Sequence, residues 1–145
     1  MTAHRPNVLS VMTPFPYSVS AEESVETARA MMEQHDIHHL PVMRGGALWG
    51  ILSARDVAVC FDLLGDAKAS LPPSVAVICT RDPYVVEVDA ALDAVADELA
   101  NRHIGSAIVT KHGKLAGIVT VTDVCRALAG LLRELAPSTV GDDVA

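Results

Sequence analysis

The stretch that decides the fold is Gly50-Ile51-Leu52-Ser53-Ala54-Arg55-Asp56-Val57, because the chain repeats it as Gly117-Ile118-Val119-Thr120-Val121-Thr122-Asp123-Val124. The two copies are 67 residues apart, counted from position 50 to position 117. The same offset places Pro16-Tyr17 on Pro83-Tyr84, and the intervening alignment needs no gap. Turn residues, prolines and apolar positions therefore repeat in one register, and we interpret the chain as two copies of one unit.

Length and composition are those of an ordinary globular protein. The chain has 145 residues, of which 50% are hydrophobic and 3% aromatic. A chain of this size can bury a sizeable core without disulfide or metal staples, so Cys60, Cys79 and Cys125 are interpreted as reduced, buried, inert thiols. No apolar run approaches the roughly 20 residues that span a bilayer, and the first residues lack a signal peptide's apolar segment. These features predict a cytoplasmic protein that does not cross a membrane.

The charge balance excludes several classes of partner. Eleven Lys and Arg residues stand against 18 Asp and Glu residues, which gives a net charge of -7. Duplex nucleic acid and anionic membranes are therefore excluded as main partners, because both are bound through many basic side chains. A small anionic ligand stays possible, because it needs only a local cluster of hydrogen-bond donors.

Each copy predicts the element order β-α-β-β-α. In the first copy we expect strands at 17–20, 40–43 and 48–53, a helix opened by a capping box at Ser20-Ala21-Glu22-Glu23 and ending near His35, and a helix over 53–64. In the second copy we expect strands at 85–88, 106–110 and 115–120, and helices over 89–102 and 121–135. One such unit leaves a sheet face uncovered. The sequence therefore predicts an α+β fold in which two repeats, related by a pseudo-two-fold axis, cover each other's sheets with helices between them.

Composition also indicates domain boundaries. Gly65-Asp66 and Pro72-Pro73 mark a loop between the copies. We expect repeat 1 over residues 8–64, a linker over 65–74, repeat 2 over 75–135 and a flexible tail over 136–145.

The sharpest repeated feature is a strand that ends in a hydroxyl residue followed three positions later by Asp, namely Ser53 to Asp56 and Thr120 to Asp123. Two interpretations stay open. The hydroxyl and the acid could cap the following helix. Alternatively, the strand-to-helix corner could hold a phosphate through backbone N–H groups and the hydroxyl, while the Asp accepts hydrogen bonds from a ribose diol.

These motifs, together with Val11-Met12-Thr13-Pro14 and Ile37-His38-His39-Leu40-Pro41-Val42, resemble those of a paired cystathionine-β-synthase (CBS) domain, or Bateman module. The resemblance covers roughly residues 9–135. It implies a stand-alone regulatory or energy-sensing module, not an enzyme, that binds AMP, ADP, ATP or S-adenosylmethionine in clefts between its repeats. It also implies that Asp56 and Asp123 hold ribose hydroxyls.

The resemblance further implies that Ser53 and Thr120 lie near phosphate or ribose, and that the backbone near Thr13 and Thr80 borders adenine. The candidate ligand-binding residues all lie in the repeated motifs. They are Thr13, Pro14, His38, His39, Pro41, Ser53, Arg55, Asp56, Thr80, Ile104, Ser106, Thr120, Thr122 and Asp123.

The two copies carry different charges near these motifs. In the first copy His38, His39 and Arg55 are expected to gather around a phosphate, whose binding should strengthen as pH falls because unperturbed His titrates near pH 6.5. The second copy has Gly105, Ser106 and Thr122 at the equivalent positions. Its cleft is therefore expected to take a less charged ligand or none.

Other interpretations concern features outside the corner motifs. A metal site formed by His35, His38 and His39 is disfavoured, because these residues span a helix end and a strand start; no metal or cofactor is expected. Trp49 is interpreted as a packed surface residue, with a contact to a partner as the alternative. The apolar final helix could cover its own sheet or pack on a second copy, so a homodimer is expected, with an unknown regulated protein as a further partner. The rival function is a dimerisation module whose clefts are vestigial.

Overall fold

The computed structural model describes residues 6–14, 16–65 and 72–136. Residues Val8–Ser10 form one short 3-10 turn. The strands are β1 Thr13–Pro14, β2 Val19–Ser20, β3 His39–Arg44, β4 Ala47–Ser53, β5 Thr80–Arg81, β6 Val85–Glu87, β7 Ser106–Lys111 and β8 Lys114–Thr120. The helices are α1 Val25–His35, α2 Ala54–Leu64, α3 Val75–Ile78, α4 Leu92–Arg102 and α5 Val121–Leu135.

The strands form two four-stranded sheets of the same design. One has the order β2-β3-β4-β5 and the other β6-β7-β8-β1. In each, an antiparallel hairpin lies at the centre and a parallel strand flanks it. The hairpins even share an irregularity, because the register shifts after Val42 in one and after Val109 in the other, positions 67 residues apart. The predicted α+β fold of two repeated units is confirmed.

Each repeat donates its first strand to the other repeat's sheet. β1 precedes the first repeat's own elements, yet it pairs antiparallel with β8, with Pro14 opposite Gly117. β5 likewise pairs antiparallel with β4, with Arg81 opposite Gly50. The two halves are therefore interlocked rather than merely stacked. The sequence did not predict these two-residue strands, because they are too short to show a period.

The donated strands explain the repeated glycine of the corner motif. A Cβ atom on Gly50 would lie 2.5 Å from the carbonyl oxygen of Thr80, and one on Gly117 would lie 2.7 Å from that of Thr13. Both distances are shorter than real Cβ contacts. Glycine is thus needed where the backbone of the donated strand crosses closely.

The protein has two hydrophobic cores, and each contains a residue from the other repeat. The first is built around residues such as Leu40 and Leu52 and includes Val75, and the second is built around residues such as Val109 and includes Val8. Val8 and Val75 are 67 residues apart, and both are fully buried. Each therefore fills the core of the other repeat.

Two predicted helix starts were wrong. α1 begins at Val25, and the Ser24 side chain accepts the N–H of Thr27 at 3.2 Å. Ser20 instead bonds to Glu22 within a turn. The backbone before the helix is held by tertiary hydrogen bonds, because Ala21 donates its N–H to the β3 carbonyl of Met43.

The helix predicted to start at Asp89 starts at Leu92, whose N–H bonds the carbonyl of Pro6. The predicted linker begins at Gly65, where α2 ends, and its residues 66–71 lie outside the described residues. The predicted tail lies outside them as well, apart from residue 136.

The cysteines differ in burial. Cys60 is buried as expected, whereas Cys79 is only half-buried and Cys125, on the solvent-facing side of α5, is exposed. Among the described residues, no helix is long and apolar enough to cross a membrane.

Candidate functional site

Both repeated corners form the same hydrogen-bonded box at a helix start. The Ser53 hydroxyl accepts the N–H of Asp56 at 3.0 Å, and Asp56 Oδ2 accepts the N–H of Ser53 at 3.1 Å. At the second corner Asp123 Oδ2 accepts the N–H of Thr120 at 2.9 Å, while the Thr120 hydroxyl accepts the N–H of Asp123 at 3.2 Å. The capping interpretation is therefore correct for both corners.

Capping leaves part of each carboxylate unused. In both boxes the described hydrogen bonds go to Oδ2 only. Within the described parts of the chain, Oδ1 of Asp56 and Oδ1 of Asp123 accept no hydrogen bond. A ligand hydroxyl can thus be bound without breaking the cap, so the two interpretations are compatible.

The second corner opens into a cleft of about 660 Å³ that both repeats line. From the first repeat come β1, the segment after it and the loop between α1 and β3. From the second repeat come the end of β8 and the first turns of α5. The lining residues are Thr13, Pro14, Pro16, Tyr17, Asp36, Ile37, His38, His39, Gly105, Ile118, Thr120, Val121, Thr122, Asp123 and Arg126.

Half of the predicted site residues line this cleft. They are Thr13, Pro14, His38, His39, Thr120, Thr122 and Asp123. The other half lie elsewhere. Pro41 is fully buried in β3, Ser106 is buried in β7, and Ile104 packs on the second core. Ser53, Arg55, Asp56 and Thr80 belong to the first corner and the strand β5 donated to it.

The structure changes which groups share a cleft. His38 and His39 face the corner of Thr120 and Asp123, whereas Arg55 is not among the residues lining that cleft. The exchange of first strands brings β1 beside β8, and His39 contacts the second repeat at Gly105. The sequence-based expectation grouped His38 and His39 with Arg55 at the first corner. His39 pairs with Ser53 of that corner in the β3–β4 ladder and also lines the cleft at the second corner.

Arg126 is a lining residue that the sequence did not single out. It lies three residues after Asp123 on α5, and residues at that spacing lie on one face of a helix. That spacing was the available signal. The first repeat has Val59 at the equivalent position, so no repeated motif drew attention to it.

His39 packs at the contact between the repeats. A Cβ atom on Gly105 would lie only 2.8 Å from His39 Nε2, so the imidazole occupies the space that a side chain at position 105 would fill. Burial lowers the pKa of His39, the neighbouring His38 lowers it further, and Asp56 partly opposes the shift. His39 is consequently a neutral group in the ligand-free protein at neutral pH.

An aromatic ring stands at one side of the cleft. Tyr17 is half exposed and stacks on His35, with ring centroids 3.7 Å apart and planes 12° apart. The equivalent Tyr84 contacts Arg102 instead, at 4.7 Å from guanidinium carbon to ring centroid. The Tyr17 ring is therefore held in place by its neighbour.

Two expectations outside the cleft can be compared with the structure. Trp49 packs against the first core and is flanked by Arg81 and Arg44, 3.7 and 5.5 Å from its ring, which agrees with the packing interpretation. Across residues 6–14, 16–65 and 72–136, no three His, Cys, Asp or Glu side chains are grouped to hold a metal ion.

Comparison with known proteins identifies the same repeats. The family model described as CBS domain matches residues 8–61 and 75–130. An inosine-5′-monophosphate dehydrogenase of Korarchaeum cryptofilum is 36% identical over 108 residues, which are 74% of this chain but 21% of the enzyme. The chain thus spans about a fifth of the length of that relative.

Two solved structures combine fold similarity with bound ligands. A CBS domain pair in complex with 5′-methylthioadenosine and S-adenosyl-L-methionine is 26% identical, with a TM-score of 0.75 over 88% of this chain and 98% of that one. CBSX2 in complex with AMP is 28% identical, with a TM-score of 0.73 over 88% of this chain and 98% of that one.

Proposed function

The chain belongs to the CBS domain family, and on that premise we propose that it is a regulatory module that binds an adenosine-containing ligand in the cleft between its repeats. AMP, ADP, ATP and S-adenosylmethionine are the candidate ligands. The solved relatives bound to AMP or to S-adenosyl-L-methionine support this class of ligand. The regulated partner is a separate protein or a second copy of the chain.

The observation that carries the proposal is that only one carboxylate oxygen of Asp123 is engaged in the helix cap. Its Oδ2 is fixed by the cap, while Oδ1 accepts nothing from the described residues and borders a cleft large enough for a nucleoside. A carboxylate oxygen fixed in this way can accept a hydrogen bond from a ribose hydroxyl with little loss of side-chain freedom. The backbone of Thr13 on the opposite side would border the base.

The corner of Ser53 and Asp56 is proposed as the location of a second ligand. It has the same box as the second corner, and β5 supplies Thr80 beside it. The measured number of ligands per chain, one or two, would decide whether this corner binds.

Ligand binding would couple the two repeats. The cleft combines β1 and the α1–β3 loop of one repeat with the corner of the other, so an occupant touches both. Binding can shift a conformational equilibrium only through different affinities for its two states. A ligand seated across the repeats would favour the arrangement in which both sides of the cleft reach it.

Thermal unfolding with one ligand at a time tests the proposal. A ligand present at about 100 times its dissociation constant adds roughly 2.7 kcal/mol to the free energy of unfolding. That stabilisation raises Tm by about 5 to 10 °C for a chain of this size. AMP, ADP, ATP and S-adenosylmethionine should include at least one that does so; if none changes Tm, the proposal is wrong.

The rival function, a dimerisation module, is favoured by one observation. Leu128, Leu131, Leu132 and Leu135 lie along one side of α5 and are 46–72% exposed. Burying such a stripe against the same helix of a second copy would stabilise a dimer. Light scattering should give the dimer mass for the native chain and the monomer mass for Leu132→Glu, while Leu63→Glu on exposed α2 serves as the control.

A further inference from the structure

Arg126 differs from four of the seven described arginines in having no partner among the described residues. Four others are engaged: Arg29 with Glu33, Arg44 with Glu22, Arg102 with Glu98, and Arg81 with the ring and carbonyl of Trp49. Within the described parts of the chain, Arg55, Arg126 and Arg133 form no ion pair or hydrogen bond through their side chains. Of these three, Arg126 alone lines the cleft.

The charges of the cleft make that position significant. Arg126 is the one lysine or arginine among the described residues that line it, and two carboxylates, Asp36 and Asp123, line it as well. A phosphate placed among these carboxylates would be repelled unless a cation stood beside it. His39 does not supply that charge at neutral pH, because burial favours its neutral form.

The spacing on α5 relates Arg126 to the proposed ribose contact. Asp123 and Arg126 are one helical turn apart on the same side of the helix, and both face the cleft. A ligand whose ribose is bound by Asp123 would therefore present its nearest substituents to the Arg126 guanidinium. A planar guanidinium binds a phosphate through two parallel hydrogen bonds.

Resting on the proposed function, we infer that Arg126 makes the second-corner cleft selective for nucleoside monophosphates over uncharged nucleosides. The Asp123 carboxylate recognises the ribose, and the Arg126 guanidinium recognises the phosphate. The first repeat lacks this device on α2, where Val59 occupies the equivalent position. The second repeat has no charged residue at the positions equivalent to His38, His39 and Arg55, yet it supplies the anion-binding group through Arg126.

The test compares AMP with adenosine by isothermal titration calorimetry on the native chain and on Arg126→Gln. The native chain should bind AMP more tightly than adenosine. Arg126→Gln should weaken the affinity for AMP by about tenfold or more, which is the loss typical of a hydrogen bond to a charged group. The affinity for adenosine should stay within about twofold of the native value. Arg126→Lys should fall between, because it keeps the charge but not the planar pair of donors.

Arg133→Gln is the matched control, since Arg133 is on the same helix but outside the cleft lining and should leave both affinities unchanged. Equal loss of AMP and adenosine in Arg126→Gln, or no loss of AMP, would overturn the phosphate role while leaving ligand binding intact. Equal affinity of the native chain for the two ligands would overturn it too. Binding of neither AMP nor adenosine would overturn this assignment, whereas the proposed function would fall only if ADP, ATP and S-adenosylmethionine also left Tm unchanged.

Discussion

At the scale of single residues, the two corner aspartates form a matched pair. Asp56 and Asp123 make the same capping box, but only Asp123 borders the described cleft. Making the same substitution at each position in turn therefore distinguishes the stabilisation of the helix from the binding of a ligand. Neither interpretation of the motif has to exclude the other.

We expect Asp123→Asn and Asp56→Asn to lower the free energy of unfolding by similar amounts, about 0.5–1 kcal/mol, since each removes a charge from the first turn of a helix. Only Asp123→Asn should weaken ligand binding at the second corner, by about tenfold or more. Chemical denaturation and calorimetry measure the two effects. Unchanged affinity in Asp123→Asn would leave that residue with its capping role alone.

Protonation of His39 should have opposite effects on two quantities. As the pH falls, the free energy of unfolding should decrease and the affinity for phosphate should increase. The pKa of His39 in the folded chain lies below the ordinary value of about 6.5, mainly through burial. The unfolded chain then binds more protons than the folded chain near that pH, so stability is full above about pH 6.5 and falls as the pH drops toward the folded pKa. Phosphate affinity should instead rise over the same interval.

Urea unfolding at about pH 7.5 and about pH 5.5 should show this loss of stability, and the loss should be smaller in His39→Gln, which cannot titrate. The difference between the two proteins isolates His39 from the other histidines. An equal pH dependence in both proteins would contradict the effect of burial on this imidazole.

At the scale of elements, prediction succeeded where a helix start is local and failed where it depends on distant backbone. α2 and α5 start and end as expected, because their caps are formed by residues three positions apart. α1 starts later than expected, because Ala21 donates its N–H to β3 instead of entering a helix. The strands β1 and β5 were missed because pairing of two residues is set by the other repeat.

The start of α1 can be tested with two serines. Ser24→Ala should lower the free energy of unfolding by about 1 kcal/mol, because the N–H of Thr27 loses its acceptor at the helix start. Ser20→Ala should have the smaller effect, because Ser20 bonds within an exposed turn. Urea denaturation of both variants measures this. A larger loss of stability for Ser20→Ala would indicate that Ser20, as the sequence predicted, caps the helix.

The candidate site was predictable to the same degree and for the same reason. Local motifs indicated Thr120, Asp123, His38 and His39, and all four border one cleft. Which groups meet across the repeats was not predictable, because that depends on the exchange of first strands. The spacing from Asp123 places Arg126 on the same face of α5, but only the position of α5 against the first repeat makes it a cleft residue.

At the scale of the whole molecule, the exchange predicts that a substitution in one repeat disturbs the other. Val8→Ala and Val75→Ala should each cost about 2 kcal/mol, because each removes methyl groups from a fully buried position. Val77→Ala is the control, since Val77 lies in the same short helix as Val75 and is 73% exposed.

Hydrogen exchange shows where each loss falls. Val8→Ala should lower protection in β7 and β8, and Val75→Ala in β3 and β4, because these strands form the cores that the two valines enter. Loss of protection within the mutated residue's own repeat alone would contradict the exchange.

The donated strands also bear on how such a chain could arise by duplication. A lone 67-residue unit would hold a first strand that its own sheet does not use and a sheet edge that it does not fill. Two identical units would satisfy both needs by swapping strands, as a homodimer does in domain swapping. Joining them in one chain replaces that association with an intramolecular one at high effective concentration. The covalently joined copies are then free to diverge, as Val59 and Arg126 have done.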